Sequence, residues 1–186
     1  MALQLLRRKF TIAEYYQMAE AGIFLANDRV ELIAGEIIEM SPIGSRHAAC
    51  VDRLNRLFNR LLASRVIVRV QNPIRLSDRS EPQPDLTLLQ PRPDFYAEAH
   101  PQPAEVLLLV EVSDTTVEYD REVKIPLYAQ AGIVEVWLVN LPEAYIEVYR
   151  HPAGDRYLEI HRWQRGQNIS ILAFSDVSFA VNDIVG

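Results

Sequence analysis

Lysine is almost missing from this chain of 186 residues: Lys9 and Lys124 are the only two among nineteen basic residues, and the other seventeen are arginine. Where a plain positive charge is wanted, the sequence uses arginine. Cysteine is scarcer still. The single Cys50 has no partner for an internal disulfide, which suits a reducing, cytoplasmic setting. No cysteine–histidine cluster carries zinc spacing. The longest apolar run, Val106 to Val110, has five residues, far short of the ~18 that a membrane span needs. The first residues, Met1 to Lys9, lack a long apolar segment followed by a small-residue cleavage site, so no secretion signal is expected. The absence of a glycine-rich phosphate loop argues against an ATPase or kinase. A net charge of −6 argues against a broadly basic protein that coats nucleic acid, while leaving room for one local basic cleft.

What is present is an ordinary globular composition, 49% hydrophobic and 24% charged, expected to fold as one soluble domain over residues 1–186. Thr11 and Glu14 form a capping box before a short helix carrying Tyr15, Met18 and Ala19. Arg29 to Ile33 and Glu36 to Met40 read as strands joined by a tight turn at Ala34-Gly35. From Arg46 to Ala63, Val51, Leu54, Phe58 and Leu61 recur at helical spacing. Strands are predicted at Val66–Val70, Ile74–Leu76, Asp85–Leu89 and Glu105–Val112, with a loop from Gln90 to Pro103 that holds four of the eleven prolines. A second helix near Lys124 to Gln130 stops at Gly132. Further strands are predicted at Val134–Val139, Tyr145–Tyr149, Arg156–Ile160, Ile169–Leu172 and Val177–Val181. This order implies an α/β fold with a mixed sheet, flanked by helices and by extra N- and C-terminal hairpins.

Lys124 stands out because the composition makes it rare. Pro126 lacks the N–H that an interior helical turn needs, so the second helix is predicted to begin near Val123 to Ile125, with Lys124 at its entrance. Thirteen residues earlier, Glu111 interrupts Val106-Leu107-Leu108-Leu109-Val110, a run apolar on both faces as in a central strand. A charge at that core boundary is costly unless paired, hydrogen-bonded or bound to a cation. Asp85 opens its own strand. Two carboxylates on neighbouring strands repel each other, and a divalent cation such as Mg²⁺ resolves the repulsion. The alternative is purely structural: Glu111 pairs with a buried arginine, Asp85 caps a turn, and Lys124 lies on a solvated helix face.

The ordered set of segments resembles a known family. Val30-Glu31-Leu32-Ile33-Ala34-Gly35-Glu36-Ile37, Met40-Ser41-Pro42 with His47 beyond it, and Gln83-Pro84-Asp85-Leu86 come first. Leu109-Val110-Glu111-Val112-Ser113, Tyr119-Asp120-Arg121, Lys124, Tyr128-Ala129-Gln130-Ala131-Gly132 and Glu135-Val136-Trp137-Leu138-Val139 follow. Together they resemble the Uma2-like restriction endonucleases of the PD-(D/E)XK nuclease superfamily. One departure matters: the superfamily's usual lysine lies two residues after the second acid, and here that position is Ser113. The resemblance places the displaced lysine at Lys124.

The resemblance implies a restriction-endonuclease-like core and metal-dependent hydrolysis of phosphodiester bonds, most naturally in DNA. Asp85, Glu111 and the backbone carbonyl of Val112 would hold Mg²⁺ or Mn²⁺, and Lys124 would act on the attacking water or the phosphate. Glu31, Glu36 and His47 are supporting candidates, with Glu31 preferred over Glu36. Arg46, Arg53, Arg56 and Arg60 form a stripe on the first long helix suited to phosphate contact, or simply a solvated face. The competing expectation is a catalytically silent nuclease fold that binds nucleic acid or a partner protein. Cutting both strands of a duplex needs two sites, so a homodimer is expected, with edges offered by the strand-rich stretch Val134–Val181.

Overall fold

A computed structural model describes residues 7–25 and 27–186. The elements, in chain order, are α1 (Ile12–Glu20), β1 (Val30–Ile33), β2 (Glu36–Glu39), α2 (Ser45–Leu62), β3 (Ile67–Val70), β4 (Leu86–Leu89) and β5 (Val106–Ser113). A helical stretch follows: α3 (Val117–Tyr119), a π-helical turn (Asp120–Lys124) and α4 (Ile125–Ala131). The chain then forms β6 (Glu135–Asn140), β7 (Tyr145–Ala153), β8 (Arg156–Gln164), β9 (Asn168–Ile171), β10 (Phe174–Ala180) and α5 (Val181–Val185).

Six strands make the central sheet in the order β3-β4-β5-β6-β7-β8, with β5 and β6 parallel and every other pair antiparallel. The mixed sheet with flanking helices and two separate hairpins, β1–β2 and β9–β10, is the α/β architecture that the sequence predicts. One apolar cluster joins α2, α5 and the C-terminal hairpin to the sheet, with the rings of Phe58, Trp137 and Phe179 packed tilted or edge-to-face at 5.4–6.1 Å between centres. A second cluster gathers Tyr128, Ile125 and Ile133 of the α4 segment with Leu109, Val136 and Leu138. β5 is covered by both clusters, which is why its sequence is apolar on successive residues.

The N-terminal capping box forms as predicted, with Thr11 N–H donating to Glu14 Oε2 and Glu14 N–H to Thr11 Oγ1. The β1–β2 turn places Ala34 at φ 48° and Gly35 at φ 78°, both left-handed as a type I′ hairpin requires. A Cβ on Gly35 would come within 2.8 Å of Lys9 Cβ, so glycine is required there on packing grounds as well.

Three expectations need correction. Ile74–Leu76 is not a strand: Ile74 N–H bonds Pro82 O, Arg75 N–H bonds Pro101 O and Leu76 N–H bonds Ser80 O, so successive amides reach different partners and no ladder forms. The last strand is Phe174–Ala180, and the chain from Val181 onward is a short helix. Most consequentially, although α4 itself starts at Ile125 with Lys124 as its N-cap and Pro126 in its first turn, as expected, Lys124 is not a free helix entrance: helical backbone already runs from Val117 through Lys124. Pro126 is tolerated because the preceding turn is wide: Ile125 N–H bonds Asp120 O, five residues back, and the usual four-residue ladder is already interrupted where proline has no N–H to give. No described helix is long and apolar enough to cross a membrane.

Candidate active site

The β4–β5 ladder stops at Leu86↔Val110, so β5 runs on past the start of β4 and carries Glu111, Val112 and Ser113 to the rim of the sheet. Asp85 immediately precedes β4 and therefore lies beside that overhang. Its Oδ2 accepts a 2.9 Å hydrogen bond from Val112 N–H. A strand residue's N–H and C=O share one edge, so the Val112 carbonyl faces the same gap. The rim forms the floor of a cleft of about 320 Å³ whose walls include Glu31, His47, Asp85, Glu111, Tyr119 and Lys124.

Lys124 turns inward. Its Nζ lies 3.2 Å from Glu111 Oε1 and 3.3 Å from Glu31 Oε1, with the side chain only 8% exposed. Burial alone would push the lysine down, but Glu111, Glu31 and Asp120 together outweigh it and hold the group protonated well above its ordinary value. Burial acts the other way on Glu111, which is pushed up to about 8 against the pull of Lys124, with Asp120 and Asp85 adding repulsion. The direction that governs the pair is a persistent ammonium facing a carboxylate that is costly to ionise.

Each of these groups is braced. Glu31, on β1, accepts a 3.0 Å bond from Gln83 N–H, and the β1–β2 hairpin is tied to the same segment by a bridge between Leu32 and Glu81. His47, in the first turn of α2, sits 3.0 Å from Asp85 Oδ2, and that contact is the main cause of its raised pKa. Tyr128, four residues beyond Lys124, donates its hydroxyl to Glu111 Oε1. Asp120, on the π-helical turn, accepts hydrogen bonds from Ser113 Oγ and from Thr116 Oγ1. Ser113 thus anchors the turn from which Lys124 projects. Asp120 and Tyr128 both lie in segments that resemble the family, but the sequence offers no sign of what each would touch.

Not every sequence candidate arrives. Glu36 faces away from the cleft and pairs with Lys9 at 2.7 Å and Arg7 at 3.5 Å; it faces Ile33 at the closed end of the hairpin, remote from the rim. The arginine stripe is split. Arg46 bonds Asp114 and the Leu141 carbonyl, Arg53 bonds the Ile184 carbonyl, and Arg56 and Arg60 are exposed.

The donors suit a hard divalent cation. The tyrosine and lysine contacts on Glu111 fall on Oε1, leaving Oε2 for a cation, and Asp85 Oδ1 has only a long 3.4 Å contact from Gln71. Among the described residues no group of three or more His, Cys, Asp or Glu side chains is placed to hold a metal ion; a Mg²⁺ site can be built from fewer, one or two carboxylates with waters and substrate phosphate oxygens. Two further polar atoms in residues of the cleft wall, His47 Nδ1 and the Tyr119 hydroxyl, are buried without a hydrogen-bond partner.

A family model described as "Putative restriction endonuclease" (Uma2) matches residues 12–182. Among solved structures, the chain is similar to "a putative nuclease belonging to DUF820 from Anabaena variabilis ATCC 29413". The identity is 16% over 95% of this chain and 97% of that one, with a TM-score of 0.75. At that identity the likeness speaks for the fold. No curated protein matches the chain.

Proposed function

The chain belongs to the Uma2 family, and we propose that its cleft is a metal-dependent endonuclease site acting on phosphodiester bonds in DNA. The observation that carries this reading is the convergence of one buried lysine with two carboxylates at an open cleft, Lys124 Nζ lying 3.2 Å from Glu111 and 3.3 Å from Glu31. The nuclease-like fold and the family's description support hydrolysis of a nucleic-acid backbone.

Asp85 and Glu111 would hold Mg²⁺ or Mn²⁺, with the Val112 carbonyl as a third donor. When bound, such a cation polarises the phosphate, lowers the pKa of a coordinated water and offsets charge that builds in the transition state. Lys124 supplies a fixed positive charge for the attacking water or the pentavalent phosphate, preorganised because Glu31 and Glu111 hold the ammonium in place. His47 and the Val112 amide fix Asp85 through Oδ2, and Tyr128 fixes Glu111 through Oε1. These contacts leave Glu111 Oε2, and Asp85 Oδ1 with its one long 3.4 Å contact, as the oxygens that would take the cation.

A second reading, a silent nuclease fold that binds nucleic acid or a partner protein, draws on the same contacts: Asp85 and Glu111 both already have protein partners. The two separate by experiment. Incubation with plasmid and oligonucleotides in Mg²⁺ or Mn²⁺ is expected to give cleavage that Lys124→Ala and Asp85→Asn each reduce at least ~100-fold, as for loss of one electrostatic catalytic group. Calorimetric titration of the wild type with Mn²⁺ is expected to show binding that Asp85→Asn weakens. Cleavage that survives both substitutions, or a protein that neither cleaves nor binds the cation, overturns the catalytic reading.

A further inference from the structure

The two edges of the central sheet are treated differently. β3 is four residues long, and the loop after β4 guards it: Arg69 donates to the Phe95 carbonyl and its guanidinium lies 5.6 Å from the Tyr96 ring centre. β8 has nine residues and, among the described residues, no ladder partner beyond β7. Along it there is neither proline nor lysine; Arg156, Glu159 and Arg162 are its charged residues, and Leu158 and Ile160 are 68% and 58% exposed.

Edge strands of this kind invite pairing, and the sequence of β8 selects one self-pairing. Two antiparallel copies related by a two-fold axis must place a residue opposite its own copy, because residues facing each other across a ladder share a sheet face. Centring the pair on Glu159 opposes two carboxylates, and centring it on His161 sets Glu159 against Trp163. Centring it on Ile160 sets Ile160 against Ile160, Glu159 against His161 twice, and Leu158 against the aliphatic stem of Arg162. A carboxylate facing an imidazole and apolar groups facing one another directly across a ladder are favourable combinations, and Glu159 already lies 3.2 Å from His161 and 3.3 Å from His151 of its own chain.

We propose that β8 is a docking edge for a second copy of this chain, joined antiparallel about Ile160 to make one sheet of twice six strands. The axis is perpendicular to the sheet, so the C-terminal ends of the two β5 strands point in opposite directions and the two clefts open on opposite rims. The dimer therefore carries two separated sites, and its existence does not depend on the chemistry of either.

Sedimentation equilibrium tests the pairing through mass alone. Wild type is expected at twice the 21.3 kDa chain mass, and Ile160→Lys, which opposes two lysines at the axis, at the single-chain mass with unchanged far-UV circular dichroism. Glu159→His, which opposes histidine to histidine, is expected to weaken the dimer about tenfold, from two lost cross-strand pairs. The exchanged variant Glu159→His/His161→Glu restores the pairs and is expected to dimerise like wild type. A wild type at single-chain mass throughout, a dimer that survives Ile160→Lys, or one indifferent to Glu159→His overturns the proposal.

Discussion

At the scale of the residue, Lys124 is one positive charge among four buried or half-buried carboxylates: Glu31, Glu111, Asp120 and Asp85. Taking ions out of water is expensive, and removing one partner of a buried pair leaves the other uncompensated. Lys124→Ala is therefore expected to lower stability by about 3–5 kcal/mol, read by urea denaturation, in addition to its effect on cleavage. An unchanged denaturation midpoint would show that the lysine is not integral to this network. Ser113 acts at the same scale. It stands two residues after Glu111, and its hydroxyl bonds Asp120. The rarity of lysine made Lys124 conspicuous in the sequence, but which carboxylates it meets was not legible there, because Glu31 lies 93 residues away along the chain.

At the scale of the element, the irregular stretch from Val117 to Ala131 does most to shape the site. Pro126 signals an interruption, and the sequence reading takes it for a helix start, the commonest place for proline in a helix. The structure accommodates it with a π-helical turn inside a longer helix, the kind of irregularity often found at functional sites. The start of the turn is held twice: Asp120 to the end of β5, and Arg121 to Glu147 on β7. Glu147 also accepts from Tyr149 and Arg162. Burial pushes its carboxyl up, but the hydrogen bonds from Tyr149, Arg121 and Arg162 outweigh it and hold the pKa below the ordinary 4.5. A depressed folded-state pKa contributes stability that is fully present above the unfolded value and is lost as pH falls through the folded one. Glu147→Gln is thus expected to cost stability at neutral pH, with the gap from wild type closing as pH drops below 4.5. Thermal melts at several pH values measure this, and a gap independent of pH would contradict it.

At the scale of the whole molecule, the C-terminal hairpin and α5 complete the core beneath α2. Phe179 is buried against Phe58 and Trp137, at 5.4 and 6.1 Å between ring centres. Phe179→Ala is expected to cost about 3–5 kcal/mol through lost burial and the cavity left behind. If urea unfolding instead shifts by a few tenths, the hairpin is peripheral to the cooperative unit. Because His47 and Arg53 lie on α2, this packing also sets the cleft wall that carries His47.

The sequence by itself determined what short-range physics can determine. Apolar residues at helical spacing declared α2, and an uninterrupted apolar run declared the central β5. A capping box and a left-handed Ala-Gly turn marked α1 and the first hairpin, and the order of elements marked a mixed α/β sheet. Composition singled out Lys124, and motif order singled out Asp85 and Glu111. Tertiary structure alone decided which charges meet. It joined Glu31 to Lys124 and left Glu36 with Lys9 at the surface. It bound His47 to Asp85, and it enlisted Asp120 and Tyr128, whose roles local pattern does not encode. The reason is physical: secondary structure follows from neighbours a few residues apart, whereas the cost of burying a charge is settled by whichever group the folded chain brings within about 3–4 Å.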